Sequence, residues 1–234
     1  MRSGAIRVGA LPLAFALAIG AAAAADGSPP QFDVGMRVQV AADGSVVSVT
    51  PEAGLPSSLR DGLAKQVSQW HYSPATWQGR PVSVESWLSL HVQAVPTSSG
   101  GFAVRIVGEG RTGEPGTAMQ PPEFPHAARR AGVNATLVYR VHVAADGSMT
   151  PVARLFPEVA RGHVKALDES SRQAILEFRR GPILADGVAV ACEMNYPMTF
   201  SVGGGEPPAA PPLPQPENAC PIARLETEYE GLML

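Results

Sequence analysis

The chain has 234 residues, with 45% hydrophobic and 17% charged residues, a formal net charge of -3 and a pI near 6.0. That is a globular balance with room for two small domains, and it carries neither the clustered Lys/Arg footprint of a nucleic-acid binder nor a basic patch for a membrane surface. Two cysteines far apart in sequence, with no histidine beside them, lack the ligand spacing of a zinc site.

The N-terminus places Arg2 and Arg7 before an uncharged run from Val8 to Ala25, which ends in Ala23-Ala24-Ala25. This reads as a secretory signal peptide over residues 1–25, cleaved before Asp26. An uncleaved anchor is the alternative, because the run is about as long as the shortest spanning helices, roughly 17 residues. Export into an oxidising compartment would let Cys192 and Cys220 pair and pin the C-terminal tail. The alternative is a buried Cys192 and a free Cys220.

Val34, Met36, Val38 and Val40 then alternate with Gly35, Arg37, Gln39 and Ala41, the pattern of a strand with one buried face. Asp43-Gly44 predicts a hairpin turn and Val46, Val47 and Val49 a returning strand. Ser57-Ser58 offers a cap to a helix lined by Leu59, Leu63, Val67 and Trp70. Pro74 ends the helix, Gly79 marks a turn, and Val82 to Val92 alternates as a long strand. Phe102, Val104 and Ile106 predict one more short strand before a glycine-rich linker.

About a hundred residues later the chain repeats itself, since Val38-Gln-Val-Ala-Ala-Asp-Gly-Ser45 returns as Val141-His-Val-Ala-Ala-Asp-Gly-Ser148. Leu137, Tyr139, Val141 and Val143 predict the strand and Asp146-Gly147 the turn. Leu167, Ala174, Ile175 and Phe178 predict the helix, and Val188 to Val202 the last strand. The inward face of that strand holds Val190, Cys192, Met194, Tyr196, Met198 and Phe200. Pro197 faces the other way and cannot donate to a ladder, so this strand is expected at a sheet edge. Pro121 to Gly132 has no counterpart in the first copy and predicts a short helix starting at Pro125 and stopped at Gly132. The tail is rich in glycine and then proline, and Arg224 to Leu234 is left open between a short helix and disorder.

Hairpin, helix, Pro, turn Gly and long strand, preceded by Phe124-Pro125-His126-Ala127-Ala128 and Gly132, is an order that resembles the C-terminal domain of TonB-family energy transducers. The resemblance covers Pro121 to Val202 well and Phe32 to Val95 more loosely. The internal repeat predicts two tandem domains, and the resemblance implies for each an α+β fold, an antiparallel sheet with helices packed on one face. The expected layout is a first, divergent domain over 26–107, a linker over 108–120, a second domain over 121–202 and a tail over 203–234. It also implies the periplasm of a Gram-negative bacterium, and binding of an extended peptide, the TonB box of an outer-membrane receptor, by addition to a sheet edge. The candidate edge is the last strand, with Glu193, Asn195, Pro197, Thr199 and Ser201 facing out. Cover by the other domain or by a Cys220-tethered tail is the alternative for this strand. Three departures from a full transducer stand out: the apolar segment lacks Ser, His or charge, no long Pro-rich spacer follows it, and the proline run instead follows the second domain.

The sequence holds no catalytic constellation, no metal site and no cofactor motif, and the chain is read as a non-enzyme. His91 and His142 fall on outward faces. Asp168, Glu169 and Glu177 near Arg172 and Arg179-Arg180 are read as surface ion pairs on a helix. Trp70 is assigned to the core, whereas Trp77 in a loop and Trp87 on an outward face are candidate contact aromatics. The competing functions are a membrane-anchored energy transducer, if the N-terminal segment is retained, and a structural or cell-wall-associated protein.

Overall fold

A computed structural model describes residues 29–96, 102–109, 120–158, 162–229 and 231–232. The predicted signal peptide, and all but the ends of the predicted linker, lie outside these residues.

Strand β1 (Gln31–Val40) turns at Asp43-Gly44 into β2 (Val46–Pro51), and helix α1 (Ser57–Val67) follows. A small hairpin of β3 (Ala75–Trp77) and β4 (Arg80–Val82) leads into the long β5 (Val84–Pro96) and then β6 (Phe102–Glu109). These build a four-stranded antiparallel sheet in the order β2-β1-β5-β6. The alternation in β1 does what period two requires: Val34, Met36, Val38 and Val40 are fully buried beneath α1, whose Leu63 and Val67 are buried with them. The helix starts at Pro56, with no side-chain cap from the serines.

The second half opens with α2 (His126–Arg130), entered through Pro125 and followed by Gly132 at a φ of 64°. Phe124, just before it, meets the ring of Phe200 edge-on at 5.3 Å. Then come β7 (Ala135–Val143), β8 (Met149–Phe156), α3 (His163–Glu177), a two-residue pair β9 (Leu184–Ala185) and β10 (Val188–Ala189), and β11 (Cys192–Phe200). The single strand expected from Val188 to Val202 is therefore broken, because Val188–Ala189 folds back on Leu184–Ala185 around Gly187 before β11 begins. The sheet order β11-β7-β8 matches the order β5-β1-β2 of the first sheet, and both are antiparallel. Gln31–Leu234 forms one compact unit, in which the two halves touch where Asp186 donates its N–H to the Ser83 carbonyl (2.9 Å) and accepts from the Ser83 N–H (2.8 Å).

The two Asp-Gly-Ser turns are built alike. Asp43 accepts from the N–H and hydroxyl of Ser45, and Asp146 does the same with Ser148, which holds both carboxyls below their usual pKa. Gly44 and Gly147 have φ of 88° and 82°, and an added Cβ would lie 1.9 Å from the carbonyl oxygen of Tyr72 in the first case and of Arg180 in the second. In return the N–H of each of those residues donates to the glycine carbonyl, at 2.9 and 3.3 Å. The turn must be glycine twice over, for its φ and for the chain that passes against it.

Helix α3 is fastened to its sheet by a polar network, where the sequence pattern alone predicts surface ion pairs. Asp168 accepts from the Tyr139 hydroxyl (2.7 Å) and pairs with Arg154 of β8 (2.8 Å) and Arg172 (3.3 Å), with only 16% of its side chain exposed. Helical position alone does not show that Tyr139, fully buried, points its hydroxyl at this carboxylate. Burial by itself would raise the Asp168 pKa, but the Tyr139 hydrogen bond and the charges of Arg172 and Arg154 outweigh it and hold the carboxyl below its usual value. Tyr139 is pushed well up, first by burial and then by the same hydrogen bond.

Gly147→Ala is expected to cost about 1–2 kcal/mol from left-handed backbone strain, and more from the collision with Arg180, read as a lowered urea midpoint. Asp168→Asn is expected to cost about 1.5–3 kcal/mol at neutral pH, since hydrogen bonds to a charged group are lost. The folded pKa of Asp168 is depressed, so its stabilisation is complete above the unfolded value near ~3.9 and fades as pH falls through the lower folded value. Urea midpoints of the wild type and Asp168→Asn should therefore converge below about pH 4.

Candidate functional site

A strand directs the N–H and C=O of successive residues to alternate sides, so one set of residues pairs inward and the other faces the edge. In β11 the outward set is identified at Glu193. Its N–H donates to the Asn218 carbonyl (2.8 Å) and its carbonyl accepts from the Cys220 N–H (2.9 Å), both away from β7. By alternation Asn195, Pro197 and Thr199 turn their backbone the same way, while Met194, Tyr196, Met198 and Phe200 belong to the ladder with β7. Pro197 thus sits where a missing N–H removes no ladder bond. Four of the five residues expected at the edge share one side of this terminal strand, and Ser201 follows directly after its end.

That side is not uniform. Glu193 is taken up by Asn218 and Cys220, and it also pairs with Arg140 at 3.7 Å. The Asn195 side chain donates to the Pro214 carbonyl (3.1 Å), and the same carbonyl accepts from Arg140 (3.0 Å), whose Nε donates to Asn195 Oδ1 (3.0 Å). Pro197, Thr199 and Ser201 are exposed, with the Ser201 hydroxyl turned back onto the Gly205 carbonyl. Among the described residues no strand lies beside this second part of the edge. The chain leaves β11 through Gly203 and Gly204, at φ of 62° and 77°, whereas β5 in the first sheet runs on to Pro96 and receives β6 as a neighbour.

The tail is not helical where it is described, and from Pro214 on it is bonded to both sheets. Cys192 and Cys220 form a disulfide, both buried. Beyond it the chain crosses to the first sheet in extended form. The Arg224 carbonyl accepts from the Ser73 N–H (2.8 Å), Leu225 bridges Tyr72, and the Glu226 N–H donates to the His71 carbonyl (3.0 Å). Tyr229 stacks on Trp70 at 5.3 Å, and Gly231 and Leu232 bond both backbone groups of Ile106 in β6. This strap covers Trp70 and Tyr72, and burial, with a smaller effect of Tyr229, raises the Tyr72 pKa to about 12.

The two candidate contact aromatics are corrected in part. Trp77 is 8% exposed and belongs to the core, because it lies in the β3–β4 hairpin and not in an open loop. Trp87 is partly buried on the outward face of β5, against Gly35, which leaves the space the indole fills. His91 is tied to Asp33 (2.7 Å) and Gln31 (2.9 Å) on the same face. The Pro214 and Asn218–Cys220 contacts went unforeseen in detail, and Cys220 was the only signal that pointed to them.

Among the described residues no group of His, Cys, Asp and Glu could hold a metal, and no helix is long and apolar enough to cross a membrane. No solved structure matches the chain. Protein TonB of Vibrio cholerae serotype O1 (strain ATCC 39315 / El Tor Inaba N16961) is 30% identical over 88 residues, covering 38% of this chain and 34% of that protein. The chain thus matches about a third of the length of that curated relative. Residues 120–202, which comprise α2, the second sheet, α3 and the whole of the β11 edge, match the family of the Gram-negative bacterial TonB protein C-terminal domain.

Proposed function

We propose that this chain is a non-enzymatic periplasmic TonB-like protein that binds an extended segment of a protein partner by strand addition to β11. The observation that carries the reading is the exposed, outward side of Pro197 and Thr199 on a terminal strand, within the segment that matches the TonB C-terminal family. Unpaired backbone groups at such an edge supply main-chain hydrogen bonds to an added strand, and side-chain pockets supply selectivity. The candidate partner is the TonB box of an outer-membrane receptor. The other edge of the same sheet suits the task less, since two register shifts interrupt the pairing of β8 with β7.

The reading includes two tandem TonB-like domains, 26–107 and 121–202. What supports it is the shared strand order, the paired Asp-Gly-Ser turns, and the pressing of Gly44 and Gly147 against equivalent points after α1 and α3. Bridges Ser45↔His71 and Ser148↔Arg179 fall at matching places. Residues 1–25 serve in this reading as a cleaved signal peptide. Retention of that segment favours the anchored energy-transducer function instead, and the intact mass of the protein exported by a Gram-negative host decides between them. A mass beginning near Asp26 is expected, and one that includes Met1 overturns the soluble reading.

Thr199→Pro tests the edge without touching the ladder, because the removed N–H faces outward as at Pro197. Binding of a receptor-derived TonB-box peptide, followed by calorimetry, should weaken at least about fivefold, the loss of roughly 1 kcal/mol for one hydrogen bond. Unchanged affinity in a folded Thr199→Pro protein removes this strand from the proposal.

A further inference from the structure

We propose that Pro214–Cys220 acts as a displaceable strand in cis, which closes the first part of the β11 edge against an incoming segment. The inference rests on the reading of β11 as a partner-binding edge and adds its regulation. Asn218 and Cys220 occupy both outward backbone groups of Glu193 in a parallel bridge with Ala219 at its centre, and Pro214 takes the polar groups of Asn195 and Arg140. An added strand that begins at Glu193 must remove these contacts. One that begins at Pro197 need not.

The occupant is poorly suited to the edge by its own chemistry. Pro214 and Pro216 lack an N–H, and the segment makes a single bridge where β6 pairs with β5 from Leu90 to Pro96. It stays in place through its tethers: the Cys192–Cys220 bond beside Glu193, and the stretch from Arg224 to Leu232 bonded to the first sheet. Tethering gives a weak strand an effective concentration on the order of mM. An outside strand that reaches Glu193 then binds with an affinity scaled by the fraction of time that part of the edge stands open. The first sheet's corresponding edge is closed by a continuous strand, whereas the second is closed by a weak one held near.

The test uses the full-length chain, two double variants and a labelled synthetic peptide of residues 214–222 carrying Cys220→Ala. Cys192→Ala with Cys220→Ala removes the bond but keeps the N–H that pairs with Glu193, and Cys192→Ala with Cys220→Pro removes both. Amide exchange at Glu193 should accelerate at least tenfold in the proline variant, with the alanine variant between it and the wild type, while protection of Leu137 and Val141 is retained. The peptide should bind the proline variant at least tenfold more tightly than the wild type. Equal Glu193 protection and equal peptide affinity in all three proteins overturn the proposal. Opening at Glu193 with no binding of either this peptide or a receptor-derived one supports the cis closure and overturns the partner-binding reading of β11, so the two failures are distinguishable.

Discussion

Each half of this protein turns on a place where there is no room for a side-chain carbon. At Gly44 and Gly147 the hairpin tip is pressed against the carbonyl of the residue that leaves the neighbouring helix, Tyr72 or Arg180, and the hydrogen bonds returned by those residues hold the approach. A hairpin tip fixed to the exit of its helix also fixes which face of the sheet that helix covers. The buried sides of β1 and β7 follow from that, and so does the path of the chain into the small hairpin and the long strand beyond.

Once a sheet is formed it must end, and the ends are handled differently. The first sheet continues past β5 into β6, and the C-terminal residues Gly231 and Leu232 then occupy Ile106 on the far side of β6. In the second sheet two glycines follow β11, and among the described residues the strand's outer side is met at the Glu193 backbone and the Asn195 side chain. A proline within β11 interrupts the row of donors at Pro197, which lowers the risk of indiscriminate pairing while leaving Thr199 to donate.

The strap links these two solutions. It starts on the second sheet, is bonded covalently through Cys220, and finishes on the first, where Leu225 and Tyr229 cover Tyr72 and Trp70. The equivalent positions of the second half carry Arg180 and Phe178, and Arg180 is a residue that cannot be buried cheaply. The apolar pair in the first half is therefore the natural place for a strap to land. One segment closes part of an edge, covers an aromatic surface and joins the two sheets.

The elements themselves were legible in the residues, because burial on one face imposes period two on β1 and β7 and helical spacing on α1 and α3, and because the Asp-Gly-Ser turn recurs. Pro197 marked β11 as an edge for the same local reason: a proline has no N–H to give. What a strand's edge meets, and where a polar group from a helix points, is set by chain that arrives from far away in sequence. Asp168 looked like a surface ion pair until Tyr139 and Arg154 converged on it, and Trp77 looked like loop until its hairpin folded into the core. The sequence by itself determined the buried faces of β1 and β7 and the two Asp-Gly-Ser turns, since those depend on neighbours a few residues apart. Only the tertiary structure decided that Asn218–Cys220 would lie on Glu193 and leave Thr199 open, because a proline-rich segment with no periodicity takes its path from the surfaces it meets.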